Sequence, residues 1–397
     1  MAQDGYDADV AVIGVGTMGS MACWQLAKRG VSVVGFEQFA PGHDRSGAGG
    51  ESRLFRTAYL EGPQYVPLLL AAQEQWRNLE SDVGRELLTL NGGLMIGQPD
   101  SEFLTSVMAS IQSADLPHEI LNYNEATKRY PQHRLHRDEI MIFDRQAGFI
   151  RPELSVALAA DASESMGARI LRRERVNSVE PDEQGVTVVT SNGVWRTRKV
   201  VIAAGAWSQR LCPKLTPTIR LQRLVMTWFP LRDPASYTPD RFPIFIRQTE
   251  AYDISGWPTL DSTSLKVAVN FGYDMVDDPD GLDRTVNDHL LDTIRKGVRE
   301  LLPDAINEPM RIGAYMDGYT DDRDAIVGYT DDLPNTIAMY GFSGHGFKMA
   351  PAIGQAVADL VADGQTQLPI DHLDPNRLTQ NRQPPKRLRT IAGESGR

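Results

Sequence analysis

"DVAVIGVGTMGSMACWQLAKRGVSVVGFE", residues 9–37, decides the fold class of this chain. "DVAVIG" is an apolar run of strand length, and Gly14, Gly16 and Gly19 follow it in G-x-G-x-x-G spacing. "SMACWQLAKRG" then carries helical periodicity and closes on Gly30. "VSVVGFE" reads as a second strand with Glu37 at its end. Each residue type has a reason in a dinucleotide site. The first glycine makes the tight turn, the second lets the backbone approach a pyrophosphate, and the third lets helix and strand pack closely. The helix N-terminus offers free N–H groups to the anion. Glu37 suits the ribose hydroxyls of an adenosine and disfavours a 2′-phosphate, which argues against NADP. At this level FAD and NAD both fit.

Working outward, 397 residues exceed a single core of usual size, so two domains are expected. The composition, 41% hydrophobic and 23% charged, is that of an ordinary globular chain. A formal net charge of −11 argues against a polyanionic partner such as nucleic acid. The basic cluster Lys386, Arg387 and Arg389 lies in a Pro- and polar-rich tail and reads as a solvated end. Cys23 and Cys212 sit in different contexts, which excludes a disulfide framework and a paired-cysteine zinc site and fits a reducing compartment. No run of 18 apolar residues and no basic leader occurs, so the expected setting is cytoplasmic, without a membrane or metal.

Further along, residues 60–80 predict a helix beginning near Tyr65 or Pro67, and "GGLMIG" and "EIMIFD" predict strands. "RPELSVALAADASESMGARIL" reads as helix then strand, and "KVVIAAGAWS" at 199–208 as a buried strand entering a turn. "LVMTWFP", "PIFIRQ" and "LKVAVNFG" predict an antiparallel sheet, followed by a helix in "TVNDHLLDTIRKGVRELLP". "TIAMYGFSGHGFKMAPAIGQAVADLVADG" repeats the opening order of strand, glycine turn and helix. The expected class is therefore α/β, α+β overall, with a Rossmann-like nucleotide domain interleaved with an antiparallel-sheet substrate domain. Residues 1–85, 145–215 and 315–380 are expected in the first, 86–144 and 216–314 in the second, and 381–397 in a flexible tail. Substrate is expected between the two, where pockets concentrate.

"GVGTMG", "ESRLFRTAYLEG" at 51–62, "GAW" at 205–207, "LK" at 265–266 and "GFSGHGFK" at 341–348 occur in a familiar order and spacing. From about residue 7 to about residue 377, the chain resembles the monomeric sarcosine oxidase and N-methyltryptophan oxidase family. The resemblance implies a D-amino acid oxidase-like fold and FAD-dependent oxidation of secondary amines of amino acids by hydride transfer to flavin N5. Molecular oxygen would be the acceptor, yielding hydrogen peroxide, and the protein would be a monomer. "GFSGHGFK" would lie against the isoalloxazine, and the helix after it would turn its positive end toward the anionic reduced flavin.

Carried over by position, Arg56 and Lys348 would bind the substrate carboxylate, as a planar fork and a compact charge suit an anion. Arg53 would lie beside the flavin, and Lys266 would assist the reaction of reduced flavin with oxygen. The implied cofactor contacts are Gly14, Gly16, Gly19, Glu37, Ser46, Arg53, Val176, Gly205, Trp207, Tyr315, Gly344, Gly346, Phe347 and Lys348. Tyr315 stands where the family carries its flavin-linking cysteine, which predicts non-covalent FAD, with an aryl ether as the alternative. Asn270, Ser255 and Asp317 replace pocket aromatics and are expected to touch a larger or more polar substrate than sarcosine, with Asp317 accepting hydrogen bonds from it. Competing readings are an amine dehydrogenase with another acceptor and a flavin-binding module without turnover.

Overall fold

The computed structural model describes residues 5–47, 49–215, 217–270 and 274–377. The tail expected from 381, its basic cluster, and the last two residues of "LKVAVNFG" lie outside them.

The glycine-marked unit forms as expected, with strand Ala8–Ile13, helix Thr17–Lys28 and strand Val33–Glu37. Both strands are buried on both faces, which is why they read as unbroken apolar runs. They pair in parallel at the centre of an eight-stranded sheet, Val10 opposite Val33 and Ile13 opposite Phe36. Val194–Ile202 lies parallel on the other side of Ala8–Ile13, and Thr336–Tyr340 lies parallel beyond that. Arg169–Arg172 extends the far edge in parallel. An antiparallel excursion, Val176–Asp182 and Gly185–Thr190, was not legible in the sequence and packs on the early half of Val194–Ile202.

Helix Thr17–Lys28 is covered by helices Pro152–Ser165 and Ala350–Asp363. A Cβ at Gly354 would stand 2.7 Å from the Met21 carbonyl oxygen, so the two helix backbones touch. Met21, Trp24 and Leu26 are fully buried in that layer, each stabilising by about 1.5–3 kcal/mol.

The second sheet has nine strands and is antiparallel except where Ile244–Gln248 runs parallel to Gly93–Gly97. Helix Asp288–Leu301 packs Leu290, Ile294, Val298 and Leu301 against it. Arg311–Tyr319 pairs over its whole length with residues 220–228 of strand Arg220–Pro230 in this sheet. An expected domain division between 314 and 315 therefore falls inside one continuous strand. The chain crosses back to the first sheet after Tyr319, near Thr320. A short third sheet joins Arg53–Phe55, Leu88–Thr89 and Gly148–Ile150. Among the described residues no helix is long and apolar enough to cross a membrane, and no group of three or more His, Cys, Asp or Glu is placed to hold a metal.

Candidate active site

A cavity of about 2390 Å³ runs from the first glycine turn to the wall of the second sheet. It exceeds the roughly 300–1,000 Å³ of a single small-ligand pocket, as a dinucleotide and a substrate side by side require. At one end lie Gly14, Gly16, Glu37, Ser46, Val176, Gly205 and Trp207. Toward the other lie Arg53, Arg56, Ser255, Asn270, Asp317, Gly344, Gly346, Phe347 and Lys348. Gly19, Tyr315 and Lys266 are off its wall.

The three glycines of the turn divide by cause. Gly14 has φ 89°, and a Cβ there would come within 2.7 Å of the Ala203 carbonyl oxygen. At Gly19 a Cβ would stand 1.8 Å from the Gly14 carbonyl oxygen. Both are dictated by the chain's own packing. Gly16 meets nothing within 4 Å, so its lack of a side chain keeps cavity space clear rather than relieving a clash. Beside it, helix Thr17–Lys28 starts without a side-chain cap, leaving first-turn N–H groups for an anion. Glu37 is buried, and its Oε2 accepts from Val15 N at 3.0 Å and its Oε1 from Phe39 N at 2.9 Å. The carboxylate is thereby fixed at the strand end, as an adenosine ribose would need. These residues fit FAD.

At the far end, residues 341–348 turn sharply, with Gly341, Ser343 and Gly344 all at positive φ. The loop is pinned to strand Arg311–Tyr319: Ser343 N donates to Gly318 O at 2.9 Å, and Gly344 N donates to Asp317 Oδ2 at 2.9 Å. Asp317 Oδ1 accepts from Gly318 N at 2.8 Å. Asp317, expected to meet the substrate, lines the cavity and ties each oxygen once to backbone, which holds the loop in place. Burial raises its carboxyl above the usual range. Trp76 supports the loop from behind, its Nε1 donating to Lys348 O at 2.9 Å while its ring stacks on Phe347.

Lys348 is buried, and its Nζ donates to His345 O at 2.8 Å and to Tyr59 Oη at 3.4 Å. Burial, then Arg56, brings its ammonium down to about 7, with Glu61 opposing. Arg56 is 3% exposed and lies over the Tyr59 ring at 4.6 Å. Only its Nη2 is engaged, with both Glu61 oxygens at 3.0 Å. Its Nε and Nη1 are buried without a partner among the described residues. Such donors are costly to leave unmet, and an incoming carboxylate would meet them. Burial raises the Glu61 carboxyl, but Arg56, His345 and Lys348 outweigh it and hold the group below its ordinary value.

Arg53 folds onto its own loop, Nη1 donating to Ser52 O at 2.9 Å and Nη2 to the carbonyls of Gly47 and Gly49. Burial lowers its guanidinium. Lys266 donates to Ser52 O at 2.6 Å and lies 4.1 Å from the Trp257 ring centre. Burial, then Arg53, pushes its ammonium well below the ordinary lysine value. Tyr315, expected at the cofactor, instead packs among Phe149, Met226 and Trp257, with its ring against Gly49 and Gly50. Further along the same strand, Met316, Asp317, Gly318 and Tyr319 line the cavity.

Tyr59, Glu61, His345 and Asp253 belong to the site and were not foreseen. His345 Nδ1 is 2.7 Å from Tyr59 Oη, and burial keeps the ring's pKa lowered. Glu61 and Tyr59 lie inside the quoted stretch 51–62, so a basic and an acidic residue five apart, Arg56 and Glu61, just before Gly62 were the available signal. Asp253 carried none.

The model of FAD dependent oxidoreductases matches residues 9–360. The monomeric sarcosine oxidase of Streptomyces avermitilis is 36% identical over 374 residues, covering 93% of this chain and 97% of that protein. The N-methyl-L-tryptophan oxidase of Salmonella typhimurium is 30% identical, covering 94% and 98%. Among solved structures, NikD, an amino acid oxidase of nikkomycin biosynthesis, has TM-score 0.81 at 23% identity over 93% of this chain and 97% of that one. The fructosamine oxidase of Aspergillus fumigatus has TM-score 0.77 at 18% identity over 94% and 91%. A fold of this type, a glycine turn shaped for a dinucleotide and relatives matched along nearly the whole length lead to one conclusion: the chain belongs to the FAD dependent oxidoreductase family, alongside the monomeric sarcosine oxidases and N-methyl-L-tryptophan oxidases.

Proposed function

We propose that this protein oxidises a secondary amine carrying a carboxylate, such as an N-substituted or cyclic amino acid, using non-covalently held FAD and passing the electrons to oxygen. The observation that carries the reading is the half-engaged Arg56 fork beside Lys348, on the cavity that holds the glycine loop 341–348. The names of relatives at 36% and 30% identity, a sarcosine oxidase and an N-methyl-L-tryptophan oxidase, point to the same substrate class.

Bound FAD supplies the acceptor for the hydride from the carbon next to nitrogen. The protein's part is placement. Arg56 and Lys348 hold the carboxylate, and that anchor fixes the reacting carbon in one orientation. Asp317 and Trp76 keep loop 341–348 from moving. Buried Tyr59 and His345 brace Lys348 from one side. Gly14, Gly16, Glu37, Ser46, Val176, Gly205 and Trp207 would hold the adenosine end, and Arg53, Gly344, Gly346 and Phe347 the ring end.

Non-covalent attachment is supported by the cysteines. Cys23 and Cys212 are buried in hydrophobic cores away from the cavity, and burial raises the Cys212 thiol to about 11. Acid precipitation of the yellow protein is therefore expected to leave all flavin in the supernatant. Flavin retained in the washed pellet would refute this.

The reading is tested by anaerobic titration with N-methyl, cyclic and N-glycated amino acids while following the flavin band. Bleaching by one member and not by its ester supports it, and no bleaching of a reducible flavin by any member defeats it. A second reading, a dehydrogenase using another acceptor, is favoured by one observation: Lys266 is off the cavity wall, bonded to Ser52. Stoichiometric hydrogen peroxide in air decides for oxygen.

Lys348 sets a pH dependence. Its protonated form pairs with a carboxylate, and its pKa is near 7. Around it, Arg56, His345 and Lys348 hold the Glu61 carboxyl below its ordinary value, and burial raises the Tyr59 hydroxyl and lowers the His345 ring. Affinity for a simple carboxylate without an amine is expected to fall about tenfold from pH 6 to pH 9, the weight of one charge-assisted hydrogen bond. Lys348→Met should flatten the profile, and calorimetry over that range checks both.

A further inference from the structure

The second-sheet wall of the cavity carries a polar array that none of the comparisons assigns. Asp253 opens strand Asp253–Trp257, and Asn270 directly follows strand Ser264–Val269. These strands pair antiparallel with Ile254 opposite Val269, and Asn270 N donates to Asp253 O at 3.0 Å. Ser255 lies two residues beyond Asp253, hence on the same face of the sheet. Asp253, Ser255, Asn270 and Gln248 all line the cavity, as Arg56 does.

Their hydrogen bonds form one chain. Gln248 Nε2 donates to Asp253 Oδ2 at 3.1 Å, and Asn270 Nδ2 donates to Asp253 Oδ1 at 2.5 Å. Ser255 Oγ donates to Asn270 Oδ1 at 3.2 Å. The inventory is lopsided. Each carboxylate oxygen accepts twice and is used once among the described residues, and the serine oxygen has spent its proton and can only accept. What the array still offers a ligand is mainly acceptors.

We propose that Asp253, with Asn270 and Ser255, forms a subsite for a hydrogen-bond-donating substituent of the substrate, a hydroxylated or ammonium-bearing group rather than a plain alkyl chain. This rests on the amine-oxidising reading above and names the substrate class within it. Two observations give it direction. Arg56 leaves Nε and Nη1 buried without partners on the same cavity, so the carboxylate end of a ligand belongs there. Asp253 repels a carboxylate and attracts donors, so one molecule is oriented by both ends. Asp317, the acid expected to play this part, accepts from the backbone at Gly318 N and Gly344 N and so holds the glycine loop, whereas the Asp253 carboxylate accepts from the side chains of Gln248 and Asn270.

The test compares N-propylglycine, N-(2,3-dihydroxypropyl)glycine and N-(3-aminopropyl)glycine, which share the carboxylate, the amine and the chain length. Each is measured on the FAD-loaded protein by kcat/KM and by calorimetric Kd. A donor-bearing member should be preferred over N-propylglycine by about 10- to 100-fold, as hydrogen bonds to a charged group are worth. Asp253→Leu should abolish that ratio. Asp253→Asn, nearly isosteric, should keep part of a hydroxyl preference and lose an ammonium preference entirely, which separates the two donors and serves if the leucine variant fails to fold. Equal or better use of N-propylglycine by the wild type, or a ratio unchanged in both variants, overturns the subsite alone. If all three acids neither reduce the flavin nor bind, the wider reading falls with it.

Discussion

Replacing Arg56 by alanine is expected to lower kcat/KM for the amino acid that reduces the flavin by about 10²- to 10³-fold, or about 3–4 kcal/mol. That is the range for truncating one member of a buried, hydrogen-bonded charge pair. Arg56 is buried, carries Glu61 on one nitrogen and leaves two donors for a carboxylate. Its loss removes the substrate anchor and leaves Glu61 unpaired, now repelling the incoming anion. Arg56→Lys restores the charge without the fork and should recover only part of the rate. The specific readout is the acid-to-ester ratio: the wild type should strongly prefer the free acid, and Arg56→Ala should bring the two close together. A variant within threefold of wild type with the ratio intact would remove Arg56 from the binding site.

Gly19→Ala and Gly16→Ala should part company completely. A Cβ at Gly19 meets backbone at 1.8 Å, and the Gly14 carbonyl cannot yield without opening the turn. The helix would be forced off the central strands, at a cost of more than about 4 kcal/mol, and little soluble yellow protein should result. At Gly16 a Cβ meets nothing within 4 Å, and φ is −82°. Gly16→Ala should therefore melt like the wild type once flavin is stripped. Its added methyl occupies the space kept for the pyrophosphate, so the Kd for FAD should rise by about 10- to 100-fold, the range of overpacking costs. Melting temperatures extrapolated to zero FAD, with a flavin titration, check both. Equal FAD affinity in Gly16→Ala and wild type would mean that the cofactor does not approach the turn closely.

What the sequence determined alone is what neighbours along the chain impose. The strand, glycine turn and helix at 9–37 are local: apolar runs, spacing of three glycines and an acid at the next strand end are all read within one stretch. The return of that order at 336–363 was legible for the same reason, whereas the placing of Arg56 and Lys348 on one cavity was implied only by the family resemblance. Only the tertiary structure decided which polar groups remain free to act. Asp317 and Asp253 are both acids on second-sheet strands, yet the first accepts from backbone N–H groups of Gly318 and Gly344 and pins the loop, while the second accepts from the side chains of Gln248 and Asn270 on the cavity wall. The position of Tyr315 off the wall has the same origin. A β-strand assigns faces by alternation, but which stretch of a face meets the cavity depends on what folds over it, here Gly49 and Gly50 on the Tyr315 ring. Hydrogen-bond capacity is written in the residue, and its expenditure is settled by partners that the chain brings in from far away.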